Sequence, residues 1–339
     1  MRRSQSINWL VATACVTVVS VALHFISSVL IPLLLAVFTA ILISPLISLL
    51  AKYHINRVIS FVLLTLAFLA VMYGFFSLVY NAAVSFAGDI PQYQEKFVQT
   101  LAKFNAWVGS FSQIHIDLSL LNVVDLNKML NVTTSLLKQT SSIITNSFLV
   151  FLLTIFMLTE SQLFRKKALY LAKTRPQTLE IIKKFTTDLK HYLIIKTISS
   201  VATGVLLFAV LSFLNLPYAA LWGIVAFVLN YIPTFGSIIA AIPAIFVSLV
   251  TLDIQTTLLI CVLYLVINIA IGNFIEPKFL GDGLDLSIIV VILSLLFWGL
   301  VLGVGGMFLA VPLTMSLKIA LASNPNTKVI AVMMSKNVE

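Results

Sequence analysis

The sequence NYIPTFG at residues 230–236 interrupts an almost uncharged apolar run that extends over residues 217–250. Proline removes a backbone donor and clashes with the preceding helical turn, and glycine relaxes a helix, so this stretch predicts a broken helix. Two further breaks follow, NFIEP at residues 273–277 and GVGG at residues 303–306. Because lipid offers no partner for open backbone groups, such breaks survive only against protein or a wet cavity. Polar residues at helix breaks indicate a transport site, here within residues 216–321.

The composition of the chain defines its class. Of 339 residues, 60% are hydrophobic and 10% are charged, against roughly 25% charged in a soluble protein. With a mean hydropathy of +1.09, the sequence predicts an all-α, polytopic membrane protein. Long unbroken apolar runs exclude a membrane β-barrel, whose segments alternate over about 10 residues. The net charge of +9 lies in loops beside spans, where it sets topology, so it does not indicate nucleic-acid binding.

The order of apolar and polar segments predicts about eight transmembrane helices, two of them broken or re-entrant. Each of the runs 217–250 and 286–321 counts as one broken crossing in this interpretation; two crossings in either run would move the C-terminus to the other side. The predicted organisation follows the chain: spans 1–3 at 1–82, an extracytoplasmic region at 83–142, span 4 at 143–160, a basic cytoplasmic loop at 161–196, a transport core at 197–321 and a cytoplasmic tail at 322–339.

Charge sets the predicted orientation. The segment 161–196 holds nine basic and two acidic residues, and the positive-inside rule places it in the cytoplasm. Both termini then lie in the cytoplasm. The region 83–142 lies outside, and apolar residues from Tyr93 to Phe111 recur there at helical spacing. A second amphipathic helix is predicted at 123–138. We interpret the region as a helical cap, with a sensor or binding domain as the alternative.

A short internal echo links the two long runs. The segments 236–243 and 305–312 share a glycine, an alanine, a branched residue and a proline at the same spacing. Related broken segments in two halves of a chain are a transporter signature, although short matches also arise by chance in apolar sequence.

Glu276 is the acid of greatest interest because an ionisable group at membrane depth is costly to bury. It is predicted either to carry a proton or to anchor at the interface, paired with Lys278. The asparagines can donate and accept hydrogen bonds, either to a hydroxylated solute or to neighbouring helices. The glycines and prolines permit close approach and helix breaks. The predicted solute path comprises Asn230, Tyr231, Pro233, Gly236, Asn268, Asn273, Glu276, Pro277, Gly305, Gly306 and Pro312.

Several enzyme and cofactor classes lack their motifs in this sequence. There is no P-loop lysine motif, no G-x-S-x-G and no H-E-x-x-H. The four histidines fall in separate regions, and Cys15 and Cys261 form neither a zinc pattern nor a disulfide framework. We therefore predict a protein that is not an enzyme and that needs no cofactor or metal.

The motifs at the breaks resemble those of one family. LNYIPTFGS at 229–237 with Pro243, NFIEPK at 273–278, WG at 298–299 and VPLT at 311–314 are similar to the signature of the autoinducer-2 exporters, or PerM-type permeases. The resemblance covers essentially the whole chain. It implies about eight spans, an inner-membrane location and homo-oligomers. The motifs do not define a substrate, since similar proteins are described as sodium/proton antiporters or remain uncharacterised.

Three functions follow as hypotheses. The first is export of the quorum-sensing signal autoinducer-2, a small polyhydroxylated solute, or of a similar hydrophilic molecule. The second is a sodium or other cation/proton antiporter that uses Glu276, with H⁺ and Na⁺ as coupling ions. The third is a membrane scaffold that transports nothing. The partners common to the first two are the lipid bilayer and a small solute.

Overall fold

The computed structural model describes residues 2–109, 145–161, 163–164, 166–167, 169–170, 176–280 and 286–336, and within these residues every regular element is helical. The helices are α1 (Arg2–Phe25), α2 (Ser27–Lys52), α3 (Arg57–Gly109), α4 (Thr145–Ser161), α5 (Pro176–Phe213), α6 (Ala219–Leu229), α7 (Phe235–Thr251), α8 (Ile254–Ile269), a π-helical segment (Ala270–Ile275), α9 (Glu276–Leu280), α10 (Ile288–Ala322) and α11 (Lys328–Met333).

The helices confirm the predicted class. Five stretches in the described part of the chain are long and apolar enough to cross a bilayer: Ser27–Ile47, Val58–Phe86, Glu180–Phe213, Ile254–Leu280 and Ile288–Ala322. Four shorter apolar helices accompany them: Ala14–Phe25, Thr145–Ser161, Ala219–Leu229 and Phe235–Thr251. The protein is therefore an all-helical, multi-pass membrane protein.

Two helices extend beyond the boundaries that the sequence suggests. Helix α3 continues from the third span to Gly109, so the amphipathic residues after Pro91 prolong that span and do not start a separate helix. Helix α5 begins at Pro176, where a missing N–H costs little, and incorporates the second half of the basic segment 161–196. The predicted helix at 123–138 lies outside the described residues.

The chain divides into two compact units. Unit 1 comprises Met1–Arg57, Thr145–Ile195 and Leu280–Glu339, and unit 2 comprises Val58–Ile144 and Lys196–Phe279. This division groups the second long run with α1 and α2, whereas the sequence analysis grouped it with 197–279. Each unit has its own core: Phe38, Leu189, Leu309 and Met315 are buried together in unit 1, and Leu207, Trp222, Val247 and Tyr264 in unit 2.

Helices α6 and α7 form a hairpin in unit 2. The turn between them contains Thr234, whose φ of 64° is rare for a residue with a side chain. A side chain on Gly236 would collide with the carbonyl oxygen of Leu229 at the end of α6. Glycine at position 236 therefore allows α7 to start directly beside the end of α6.

Helix α10 is also folded back on itself, in unit 1. Its backbone leaves helical geometry at Gly303, which has φ 65° and ψ −153°. The Nε1–H of Trp298 donates to Oγ1 of Thr314 at 3.0 Å. These residues would lie about 24 Å apart along a straight helix, so the two halves of α10 must turn towards each other. A side chain on Gly306 would collide with the carbonyl oxygen of Trp298.

The two hairpins share two features at equivalent positions of the internal echo. Thr234 and Gly303, both at positive φ, each lie two positions before the glycine that opens the echo. Leu229 and Trp298 are likewise at equivalent positions, and the carbonyl oxygen of each lies close to the backbone that follows the turn. The local geometry differs, because ψ is −51° at Thr234 and −153° at Gly303, and the glycine beside the carbonyl oxygen is Gly236 in one hairpin and Gly306 in the other. The echo therefore marks two hairpins at equivalent positions, with different turns.

Candidate functional site

The site in unit 2 begins with a polar stripe on α5. Lys196, Ser199, Ser200 and Thr203 recur at steps of three and four, so they share one face of the helix. All four are buried, and Lys196 has a relative exposure of only 5%. A buried lysine needs a partner because an isolated charge is strongly disfavoured in an apolar interior.

Glu276 is that partner. Nζ of Lys196 donates to Oε1 of Glu276 at 2.9 Å and to Oε2 at 3.0 Å. Ser199 Oγ donates to Oε2 at 3.3 Å. The two charged side chains are 7% and 12% exposed, so this is a buried ion pair whose charges cancel.

A π-helical segment, Ala270–Ile275, immediately precedes Glu276. A π-turn places one extra residue in the helical circuit and is frequent at functional sites. The segment thereby sets the rotational position at which Glu276 begins α9. Pro277 follows inside a helical stretch that is continuous from Ile254 to Leu280, so the NFIEP sequence distorts the helix here without ending it, and the missing N–H of the proline removes one helical hydrogen bond.

The turn between α6 and α7 contacts the same stripe. Asn230 Nδ2 donates to Ser200 Oγ at 3.0 Å, and the hydroxyl of Tyr231 donates to Thr197 Oγ1 at 2.8 Å. The helix break and the ion pair thus share one surface of α5. We use the name polar cluster for the residues Lys196, Thr197, Ser199, Ser200, Asn230, Tyr231 and Glu276.

The other predicted path residues lie elsewhere. Asn268 donates to the carbonyl of Tyr264 within its own helix, at 2.8 Å, and Asn273 is exposed on the π-helical segment. Pro233 and Gly236 form the turn of the α6–α7 hairpin. Three path residues belong to unit 1, on α10: Gly305, Gly306 and Pro312. A side chain on Gly305 would come within 2.6 Å of Ile31 on α2, so this glycine permits close helix packing.

The α5 half of the cluster was not predicted from the sequence. Lys196 was included among the topology-setting charges of the basic segment 161–196, and Lys278 was the predicted interfacial partner of Glu276. That pairing is wrong, because Lys278 is exposed and Lys196 holds both carboxylate oxygens. The available signal was the row of Lys196, Ser199, Ser200 and Thr203 at helical spacing in an otherwise apolar run.

Three features together define a polytopic membrane transporter: apolar membrane-spanning helices, two hairpins at helix breaks and a buried ion pair within a polar cluster. Comparison with known proteins gives the family: the AI-2E family transporter model matches residues 12–325, and the chain belongs to that family.

The relatives are transport proteins of bacteria. The AI-2 transport protein TqsA of Escherichia coli is 34% identical over 316 residues, which cover 92% of this chain and 91% of TqsA. A protein of Haemophilus influenzae, whose transport role is assigned provisionally, is 34% identical over 325 residues, with 94% and 93% covered. YhhT of E. coli, whose transport role is also assigned provisionally, is 28% identical over 327 residues, which cover 96% of this chain and 93% of YhhT.

Proposed function

We propose that this protein exports autoinducer-2, or a similar small hydrophilic solute, across the bacterial inner membrane, and that the polar cluster binds the solute. The observation that carries the proposal is the buried Lys196–Glu276 ion pair. The break residues Asn230 and Tyr231 bind the same face of α5, on which Lys196 lies. A buried ionisable pair in an apolar chain marks a functional site by default. The printed role of the relative TqsA supports the choice of solute.

The chemistry of the cluster favours an uncharged, hydroxyl-bearing solute. Because Lys196 and Glu276 neutralise each other, the cluster offers no net charge to attract a free anion or cation. It does offer an ammonium, an amide and several hydroxyls, which donate and accept hydrogen bonds. A polyhydroxylated molecule can exchange its bonds to water for bonds to these groups.

The remaining predicted residues complete the proposed path. Asn268, Asn273 and Pro277 border the polar cluster along the chain, and Pro233 and Gly236 form the adjoining hairpin turn. Gly305, Gly306 and Pro312 belong to the equivalent hairpin of unit 1. In this proposal the breaks let the hairpins move while the solute passes.

Flux through the purified protein tests the proposal. Autoinducer-2 uptake and efflux are measured in proteoliposomes, with and without a proton or sodium gradient. We expect flux in the wild type and its loss in the Asn230→Ala/Glu276→Ala double variant. The matched control is Asn81→Ala/Glu160→Ala, since Asn81 and Glu160 are exposed on α3 and α4. Equal flux in both double variants would place the path elsewhere.

The second candidate is cation/proton antiport. The specific observation in its favour is that the Glu276 carboxylate is held by an ammonium, so Na⁺ and Lys196 can compete for the same oxygens. Glu276→Gln separates the candidates because it removes the ionisable group and preserves a hydrogen-bonding side chain. It should abolish sodium-driven pH changes in vesicles if antiport is the function, whereas flux of a neutral solute should persist.

The topology and assembly follow the same proposal. We propose about eight transmembrane helices, with each long run forming one broken or re-entrant unit, and both termini in the cytoplasm. The basic segment 161–196 lies on that side and 83–142 on the other. We further propose a homo-oligomer, with H⁺ or Na⁺ as the coupling ion if export is driven. Chemical cross-linking in native membranes, followed by mass determination, tests the oligomer.

A further inference from the structure

Tyr264 carries an unmatched hydroxyl in the core of unit 2. The residue has a relative exposure of 2%, and its hydroxyl has no hydrogen-bond partner among the described residues. It lies on α8 in a cluster with Leu207, Trp222 and Val247. Burying a hydroxyl without a partner is destabilising, and phenylalanine would fill the same space without that cost.

The other buried hydroxyls of unit 2 show why Tyr264 differs. Thr203, Ser248 and Thr257 each donate to a carbonyl three or four residues earlier in their own helix. Short side chains reach their own backbone in this way. The phenol of Tyr264 is too long and rigid to reach a backbone carbonyl of its own helix in this way, and no side chain of the described residues accepts from its hydroxyl.

The surroundings of Tyr264 connect it with the polar cluster. The core around it is formed by α5, α6, α7 and α8. The same segments frame the polar cluster: α5 carries Lys196, the turn after α6 carries Asn230, and the chain that continues from α8 carries Glu276. Lys196, Thr203 and Leu207 follow one another on a single face of α5. The apolar core with Tyr264 is therefore the continuation of that face beyond the polar cluster.

We propose that the Tyr264 hydroxyl is a further binding group for the solute, a small, uncharged, polyhydroxylated molecule, and that it donates to a solute oxygen farther along the same face of α5, about 16 Å beyond Lys196. This inference rests on the proposed function and extends it by one specificity-determining residue. It explains why a tyrosine occupies a core position that suits phenylalanine sterically.

Binding measurements on the full chain in lipid nanodiscs test the inference. The probes are autoinducer-2 and ribitol, an unrelated neutral polyol. Tyr264→Phe removes the hydroxyl alone, and Tyr73→Phe is the matched control because Tyr73 is exposed on α3. Loss of one neutral hydrogen bond should raise the dissociation constant by about 3- to 10-fold. Thermal stability without solute should be unchanged or higher in Tyr264→Phe.

The outcomes separate this inference from the proposed function. If ribitol binds and autoinducer-2 does not, a weaker ribitol complex in Tyr264→Phe supports the inference although the proposed substrate fails. If autoinducer-2 binds both forms equally, the inference is overturned and export stands. A lower thermal stability with unchanged binding shows a structural role, for example through a buried water, and also overturns it. Absence of binding by either probe to the wild type overturns it as well.

Discussion

At the residue scale, the Lys196–Glu276 ion pair is the feature on which the proposed solute site depends most. Both side chains are nearly inaccessible, and each is the counter-charge of the other. Glu276 could be singled out from the sequence because it stands beside a proline at the end of an apolar run. Its partner was not, because the two residues are 80 positions apart and local periodicity carries no information on such a pairing.

Removing one partner of the Lys196–Glu276 pair should lower the free energy of unfolding more than removing both partners. Lys196→Met leaves the Glu276 carboxylate buried and unpaired, so we expect a loss of about 3–5 kcal/mol in the free energy of unfolding. The double variant Lys196→Met/Glu276→Leu should recover most of that loss and still fail to transport solute. Unfolding in mixed detergent micelles provides the measurement, with Lys184→Met at an exposed position of α5 as the control. A double variant as unstable as the single one would contradict the argument.

A second residue-scale prediction concerns Asp253, which caps α8. Its carboxylate accepts from the hydroxyl of Thr256 at 2.7 Å and from the backbone N–H of Thr256 at 2.9 Å. The first of these bonds, with the second, lowers the pKa of Asp253 below its ordinary value of 3.8. The folded state therefore gains stability from the cap above pH 3.8 and loses it as the pH falls further.

We accordingly expect Asp253→Ala to lower the melting temperature at pH 7 and to have a smaller effect near pH 3. Thermal unfolding of the detergent-solubilised protein at both pH values measures the difference. An effect of the same size at both would show that the carboxylate charge does not contribute to the cap.

At the element scale, the hairpins depend on a few backbone positions. Glycine and proline predicted the breaks at 230–236 and 303–306, but left open whether the halves of α10 turn back towards each other. That arrangement depends on long-range contacts such as Trp298 with Thr314. The π-helical segment was not predicted either, since its residues differ little in composition from those of an ordinary apolar helix.

Three glycine-to-alanine variants should differ in a defined order. Gly306→Ala drives a side chain into the Trp298 carbonyl and should cost about 3 kcal/mol or more. Gly303→Ala meets no atom within 4 Å, but φ 65° with ψ −153° is a conformation essentially restricted to glycine, so it should cost about 1–3 kcal/mol. Gly272→Ala also meets open space at helical φ and should leave stability unchanged or about 1 kcal/mol higher. Unfolding titrations rank the variants, and a loss at 306 no larger than that at 272 would contradict the hairpin geometry.

At the scale of the whole molecule, the sequence established the class and the family, and the structure added the internal organisation. Apolar run lengths and charge were sufficient for an all-helical membrane protein. They were not sufficient for the division into two units, because that division groups segments distant in the chain, such as α2 with α10. The echo between 236–243 and 305–312 becomes informative once each segment is seen to form a hairpin in its own unit.

The proposed topology makes a prediction at this scale. In a background of Cys15→Ser and Cys261→Ser, single cysteines at Lys184 and Asn324 should react with a membrane-impermeant thiol reagent only from the cytoplasmic side. A cysteine at Glu95, in the second half of α3, should react from the opposite side. Labelling of position 324 from outside would mean that one long run crosses twice.

The 80-residue separation of Lys196 and Glu276 also bears on biosynthesis. Lys196 lies within the apolar stretch Glu180–Phe213, which leaves the ribosome before its counter-ion has been translated. At about 5–20 residues per second, the lysine waits on the order of 4–16 seconds for Glu276. An unpaired lysine at the centre of a helix costs about 2.5–3.5 kcal/mol in translocon-mediated insertion. Helix α5 should therefore remain beside the translocon until the glutamate arrives.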